Sequence, residues 1–224
     1  MDKIKKRAIV RGVNTLFFHA KTLDTMNISC YQKDFPFIVI DDYYSEDEYY
    51  FIWEELNFLC YKNKLIKAEG SGVSDDGKPL KNNYVRYLDK IYTDRKVSNI
   101  LQISRKLFDN NYQIFKSHPS WFFQNVEGNL DHTSLSYYEN GEKYLPHKDK
   151  YVVTSLWWTC KNPKKFEGGD FIFSDYEETI KFKDNRMIIF PSFIKHEVTP
   201  IIIKENNWNQ KNGRICLSQF LSWK

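Results

Sequence analysis

The stretch SLSYYENGEKYLPHKDKYVVTSLWW, residues 134–158, decides the reading of the chain. SLSYY is small, aliphatic or aromatic in texture and reads as a strand. Asn140-Gly141 then makes a turn. YLPHKDK follows as a second extended segment, and VVTSLWW as a third strand. His147 and Asp149 are separated by one residue. On an extended strand they share a face, so an imidazole and a carboxylate can converge on one ion.

Toward the C-terminus the same texture continues through DFIFS, TIKFK, RMIIF, KHEVTPIII and RICLSQFLSW. Seven or eight short strands without helical segments between them predict an antiparallel sandwich or barrel. KHEVTPIII supplies His196. Two histidines and one carboxylate on one face would leave the remaining positions of a metal open, the arrangement a non-haem Fe(II) oxygenase needs. An HxD triplet alone is more often a surface turn, and a strand histidine more often a core residue. Their order within a run of strands, and their companions, favour the metal.

The companions are Arg214 and Tyr138. In RICLSQF the alternate residues Arg214, Cys216, Ser218 and Phe220 take one face, and the mostly apolar Ile215, Leu217, Gln219 and Leu221 take the other. A guanidinium on the first face could grip a distal carboxylate with two parallel hydrogen bonds, with the Ser218 hydroxyl adding a third. Tyr138, just ahead of the Asn140-Gly141 turn, could donate its phenol to the same carboxylate.

Upstream the texture is helical. PFIVIDDYY, residues 36–44, reads as a strand, and Ser45 with Glu48 is a capping-box signature. Tyr49, Ile52, Trp53, Leu56 and Leu59 recur at helical spacing, which predicts a helix over about residues 46–62. A second helix is expected from about Asp94 to Asn110, with Val97, Ile100, Leu101, Ile103 and Leu107 as its apolar stripe. Glu69–Asn83, rich in Gly, Asp, Lys and Asn, reads as a long loop that could serve as a lid. The expectation is one domain over 1–224: a basic arm over 1–34, helical support over 35–120 and a β core over 121–224.

Bulk properties agree with such a protein. The 15 Tyr, 17 Phe and 6 Trp raise the aromatic content to 17%, which suits a β-rich core. A net charge of +4, spread along the chain, does not indicate a nucleic-acid partner. The four cysteines form no CxxC pair, so neither a zinc knuckle nor a redox motif is suggested. No apolar run reaches membrane-spanning length and no signal-type segment is seen, so a cytoplasmic location is expected.

Four ordered motifs resemble the prolyl 4-hydroxylase-like branch of the Fe(II)/2-oxoglutarate oxygenases, and the texture is similar to phage-encoded members. They are Tyr138-x-x-Gly141-x-x-Tyr144-x-x-His147-x-Asp149, then FEGGDF at 166–171, then His196-x-Val198-Thr199-Pro200, then Gly213-Arg214. The resemblance covers about residues 130–224. It implies a mainly β fold, a double-stranded β-helix (jelly-roll, cupin-like) core with flanking N-terminal helices. It implies iron ligation by His147, Asp149 and His196, and 2-oxoglutarate contacts from Tyr138 and Arg214, with Ser218 a further candidate. Tyr144, Trp157 and Trp158 are the substrate-side candidates, without a decision as to which tryptophan faces inward. Gly168-Gly169 is expected to serve a turn.

The activity so implied is hydroxylation of an unactivated C–H bond, of a prolyl residue or another amino acid, using O2 and 2-oxoglutarate and releasing succinate and CO2. Ascorbate is an admissible helper. The substrate is a small molecule or a peptide. Asp149 speaks against a halogenase, whose ligand position there is vacant. Phe220 speaks against a nucleic-acid demethylase, which carries a second arginine at that place. A non-catalytic jelly-roll binding module, or a cupin with another metal, is the rival of a different class. One departure is the long interval from His196 to Arg214, where ENNWNQKN is expected to form an extended hairpin loop.

Overall fold

The computed structural model describes residues 7–10, 16–22, 26–61, 63–68, 72–74, 76–108 and 114–223, with side chains from residue 26 onward. The strands are β1 (Arg7–Val10), β2 (Leu16–Thr22), β3 (Met26–Gln32), β4 (Pro36–Asp41), β5 (Ile66–Lys67) and β6 (Tyr84–Tyr87) in the N-terminal part. They continue as β7 (Leu130–Tyr138), β8 (Tyr144–His147), β9 (Val153–Cys160), β10 (Phe166–Gly168) and β11 (Phe171–Phe173). The last are β12 (Glu178–Ile180), β13 (Arg186–Pro191), β14 (His196–Val198), β15 (Ile201–Ile203) and β16 (Arg214–Ser222). The helices are α1 (Glu46–Tyr61), α2 (Leu88–Ile91), α3 (Asn99–Ser104), α4 (Ile114–Ser117) and α5 (Trp121–Asn125).

A large sheet runs β1-β2-β3-β4-β13-β9-β16-β7-β6-β5, and a smaller one runs β12-β11-β14-β8. β10 and β15 form a separate antiparallel pair. The fold is mainly β and antiparallel, the two-sheet jelly roll expected, with helices laid on the outer face of the large sheet.

Helix α1 begins where the sequence says it should. The Ser45 amide donates to Glu48 Oε2 at 3.0 Å, and the Glu48 amide donates to Ser45 Oγ at 3.3 Å. Both ends of the capping box are thus closed, satisfying two otherwise orphan N–H groups. Ile52, Leu56 and Leu59 are buried against the sheet. The second helical stretch is broken rather than continuous. A 3-10 turn at Arg95–Val97, α3 and another 3-10 turn at Arg105–Phe108 follow in succession. Ser98 restarts the helix by accepting from the Leu101 amide at 3.1 Å. Val97, expected in the buried stripe, is 69% exposed because it falls in the turn before that restart. Asp109 and Asn110, the expected end, lie outside the described residues.

Two apolar layers lie on either side of the large sheet. Leu135, Trp157, Ile215, Leu217 and Leu221 join α1 and α3 in the outer one. Tyr138, Leu156, Trp158, Phe171, Phe190 and Cys216 lie in the inner one, between the sheets. β9 is buried at every position, as a strand covered on both faces must be. The alternation read from RICLSQF is therefore correct in both parity and direction.

Two expectations need correction. Part of the 1–34 arm lies outside the described residues, but Met26–Gln32 is no arm. It is β3, paired with β4 from Asn27↔Asp41 to Gln32↔Pro36, with Ile28 and Cys30 buried. The loop 205–212 is not a hairpin, since β15 pairs with β10 and β16 with β7 and β9. It crosses from the small pair into the large sheet and still delivers Arg214 as the first residue of the last strand. The Gly168-Gly169 turn, by contrast, is as expected. Both residues have φ +71°, and a Cβ on Gly168 would collide with the Pro200 carbonyl oxygen.

Candidate metal centre and cosubstrate pocket

His147 ends β8 and His196 begins β14. The two strands are neighbours in the small sheet, and His147 and His196 are register partners. Asp149 follows β8 and is fixed twice. Its amide donates to the Ser192 carbonyl at 3.0 Å, and its Oδ2 accepts from Thr154 Oγ1 at 2.7 Å. Thr154 also bonds Ser192 Oγ at 2.8 Å, so β9 and the end of β13 hold the carboxylate in place.

The imidazoles are fixed in the same manner. His147 Nδ1 meets the Leu145 carbonyl at 2.8 Å, and His196 Nδ1 meets the Ile194 carbonyl at 2.9 Å. A carbonyl only accepts, so each Nδ1 carries the proton and each Nε2 presents a lone pair. His147 Nε2 lies 3.8 Å from Asp149 Oδ1, and His196 Nε2 lies 3.5 Å from Asp149 Oδ2. Burial pushes the His147 pKa down to about 3, with the neighbouring His196 adding to the effect. Burial also lowers His196, with the Asp149 carboxylate opposing. Both rings are thus neutral, the state in which imidazole ligates metal.

One ligand atom from each residue lies within 4.8 Å of the others. This donor set, two neutral nitrogens and one carboxylate on one side of a cavity, fits a single divalent first-row ion with its other positions open. Phe171 and Phe190 pack on His196 at 5.3 and 4.8 Å between centroids, and Tyr144 stacks on His147 at 3.6 Å. The centre is therefore backed by aromatic rings.

The cavity is about 310 Å³ and is lined by the triad, Tyr138, Tyr144, Arg214, Cys216 and Ser218 among others. Arg214 is register partner of Tyr138 on β7 and of Cys160 on β9. Its exposure is 0%, and Nε, Nη1 and Nη2 are all without a hydrogen-bond partner among the described residues. Its guanidinium carbon lies 5.5 Å from the Tyr138 ring and 4.9 Å from the Trp158 ring. A buried guanidinium with no partner is a strongly unfavourable arrangement unless an anion joins it. A planar carboxylate matches its fork. Complete burial raises the Tyr138 pKa, so its phenol keeps the proton it would donate. A Cβ on Gly213 would collide with the Tyr138 carbonyl oxygen, so glycine is needed for β16 to approach β7 here.

Of the remaining expected residues, Ser218 lines the cavity two residues beyond Cys216, whose Sγ lies 3.7 Å from its Oγ. Tyr144 lines it as well. The tryptophans do not. Trp157 faces the helices, donating Nε1–H to Asn185 Oδ1 at 2.9 Å and packing edge-on against Tyr44. Trp158 faces inward but stands behind Arg214 and is not part of the cavity wall.

Several residues escaped the sequence reading. Thr154 had a usable signal, being a polar residue at an inward-facing position of an apolar strand. Lys81 had none, since it sits in a polar loop. That loop turns out to be tied down: the Leu80 carbonyl accepts from the Leu145 amide at 2.9 Å, and Lys81 bridges Tyr144. Gly72, Val73, Leu80 and Lys81 thereby form one wall of the cavity. Residues 69–71 and 75 of the expected lid lie outside the described residues.

Comparisons with known proteins bear on the family and the fold. Residues 133–221 match the 2OG-Fe(II) oxygenase superfamily. A PKHD-type hydroxylase of Nitrosomonas eutropha is 29% identical over 84 residues, 36% of this chain and 37% of that protein. The chain thus spans a little over a third of the curated relative it matches. The crystal structure of a Pseudomonas putida prolyl-4-hydroxylase superposes with a TM-score of 0.59 at 12% identity, covering 84% of this chain and 92% of the other. A viral collagen prolyl hydroxylase from Paramecium Bursaria Chlorella virus-1 does so at 0.54 and 15% identity, covering 84% and 90%. Among the described residues no helix is long and apolar enough to cross a membrane.

Proposed function

With residues 133–221 belonging to the 2OG-Fe(II) oxygenase superfamily, we propose that the chain, as a single domain, is a hydroxylase acting on an unactivated C–H bond of an amino acid, free or prolyl. His147, Asp149 and His196 would hold Fe(II), and Arg214, Tyr138 and Ser218 would hold 2-oxoglutarate. Bound together with O2, the metal and keto acid supply the oxidising power to convert C–H to C–OH, with succinate and CO2 released.

The observation that carries this reading is the buried, unpartnered Arg214 guanidinium in the same cavity as three convergent metal-ligand atoms. A metal-binding jelly roll without a keto acid has no use for that arginine. The protein's own contribution is positional. Thr154 and Ser192 orient the Asp149 carboxylate, and the Leu145 and Ile194 carbonyls select the imidazole tautomers. Arg214 and Tyr138 set the orientation of the cosubstrate by its far end. Phe171, Phe190 and Tyr144 keep water from the backs of the ligands.

The reading is tested by incubating the protein with Fe(II), 2-oxoglutarate and a cell lysate, and searching by mass spectrometry for products heavier by one oxygen. Stoichiometric succinate with such a product supports it. Succinate formation by the His147→Ala variant at the wild-type rate contradicts it.

A further inference from the structure

Among the described residues, two of the cationic side chains that line the cavity are buried or half-buried, and the proposed cosubstrate accounts for only one, Arg214. Lys81 is the other. Its backbone is pinned to β8 by the bridge to Tyr144, of which the Leu145–Leu80 hydrogen bond is part. Its side chain is half-buried, and Nζ lies 4.8 Å from the centroid of the Tyr144 ring. His147 stacks on the same Tyr144 ring at 3.6 Å. Lys81 therefore stands one ring away from the metal centre, on a wall separate from β16.

No carboxylate lies within ion-pair distance of Lys81 Nζ among the described residues, and no oxygen accepts from it. The contrast with other lysines is direct. Lys67 is paired with Glu142 at 2.8 Å and Lys106 with Glu48 at 2.5 Å. Asp149, the one acid of the cavity wall among the described residues, would be engaged by the metal. The charges of the filled site can be added up. A divalent ion with Asp149 leaves one positive charge, and 2-oxoglutarate with Arg214 leaves one negative charge. These cancel, and Lys81 remains as an unbalanced cation facing the space left for substrate. Lys148 and Lys150, exposed on either side of Asp149, also line the cavity without an ion pair among the described residues and add positive potential at its mouth. Half-buried charges are ordinarily paired, so the missing partner is expected from the ligand.

We propose that Lys81 is the specificity-determining anchor for an anionic group, a carboxylate or a phosphate, on the small molecule that this site oxidises. The assignment rests on the iron and 2-oxoglutarate reading given above. It selects, among amino-acid-like substrates, those that bring a free acid group, and it excludes neutral peptide-bonded forms as the preferred ligands. Tyr144 serves as the flat surface between the anchor and the metal, so the acid group is held at one ring's distance from the reacting carbon.

The test uses the full chain loaded with Mn(II), which does not turn over, and saturated with 2-oxoglutarate. Calorimetric titration with the free L-amino acids and their carboxamides forms the carboxylate arm, and nucleoside 5′-monophosphates with their nucleosides form the phosphate arm. At least one acid is expected to bind, with its neutral counterpart weaker by about tenfold or more, the loss of one charge-assisted hydrogen bond. Lys81→Gln should weaken the acid by a similar factor, Lys81→Arg should keep most of the affinity, and both should bind 2-oxoglutarate as the wild type does. Equal binding of acid and neutral forms, unchanged acid affinity in Lys81→Gln, or no binding by any anion of either arm overturns the proposal. So does a loss of 2-oxoglutarate affinity in Lys81→Gln. If 2-oxoglutarate itself fails to bind the Mn(II)-loaded wild type, the site reading fails and the proposal with it, a result distinct from failure at the panel alone.

Discussion

Replacing Arg214 by Met should have opposite effects on cosubstrate binding and on the stability of the ligand-free protein. Three guanidinium nitrogens are buried without hydrogen-bond partners among the described residues, on a side chain that is 0% exposed. A hydrogen bond to a charged group contributes about 1.5–3 kcal/mol. Two such bonds to one carboxylate give roughly 3–6 kcal/mol, and removing one partner of a buried charged pair costs about 3–5 kcal/mol, which sets the range. At about 1.4 kcal/mol per decade, the 2-oxoglutarate Kd should rise from about a hundredfold to several thousandfold. Without ligand the sign reverses. The unpaired guanidinium costs the fold about 1–3 kcal/mol, and an apolar side chain of similar length removes that cost. The metal-free variant should therefore melt several degrees higher, at roughly 2–4 °C per kcal/mol for a chain of this size. Calorimetric titration of 2-oxoglutarate into Mn(II)-loaded protein gives the first quantity, and thermal unfolding without ligand gives the second. A variant that binds 2-oxoglutarate within about threefold of wild type would refute the role given to Arg214.

Three more outcomes follow from the site. Asp149→Ala should lose succinate production while its far-ultraviolet circular dichroism stays native, and retained turnover would remove Asp149 from the ligand set. Thr154→Val deletes the 2.7 Å hydrogen bond to Asp149 Oδ2 and should weaken metal binding by about 10–100-fold. Trp157→Phe, on the far side of the sheet, should lower stability and leave metal affinity unchanged; equal metal losses in both would deny Thr154 its positioning role. The third outcome concerns pH. Folding holds His147 near 3 and lowers His196 from the usual value of 6.5. Below that value the unfolded chain binds protons the folded one refuses, so stability is full above about pH 6.5 and declines as pH falls toward 3. Urea midpoints of metal-free protein should drop over that window, and His147→Asn should flatten the decline. An unchanged slope in the variant would contradict the depressed pKa.

Much of this site could be read from the chain because strand alternation is a strict geometric rule. Once RICLSQF was taken as a strand, Arg214, Cys216 and Ser218 had to share a face, and the cavity wall bears this out. The HxD pair converges by another route, since β8 ends at His147 and hydrogen bonds with Ser192 and Thr154 place Asp149. What alternation could not supply was the absolute direction of VVTSLWW, where both faces are apolar because helices cover one and the second sheet the other. Trp157 and Trp158 were therefore indistinguishable until packing was known. The N-terminal strand β3 was missed because its sequence, MNISCYQ, is mixed in polarity, and its pairing with β4 comes from tertiary contact. Lys81 was invisible for another reason. A loop lysine carries no periodic signal, and its place in the cavity depends on a backbone bridge to β8 that only the fold creates.

The most direct test of the central claim is the visible spectrum of the anaerobic protein with Fe(II) and 2-oxoglutarate. A keto acid bound through two oxygens to a ferrous centre gives a weak charge-transfer band. The account predicts that band in the wild type, its loss in His147→Ala, and its appearance in Arg214→Met only at much higher 2-oxoglutarate. Intact, folded wild-type protein that shows no band at saturating Fe(II) and 2-oxoglutarate would contradict it.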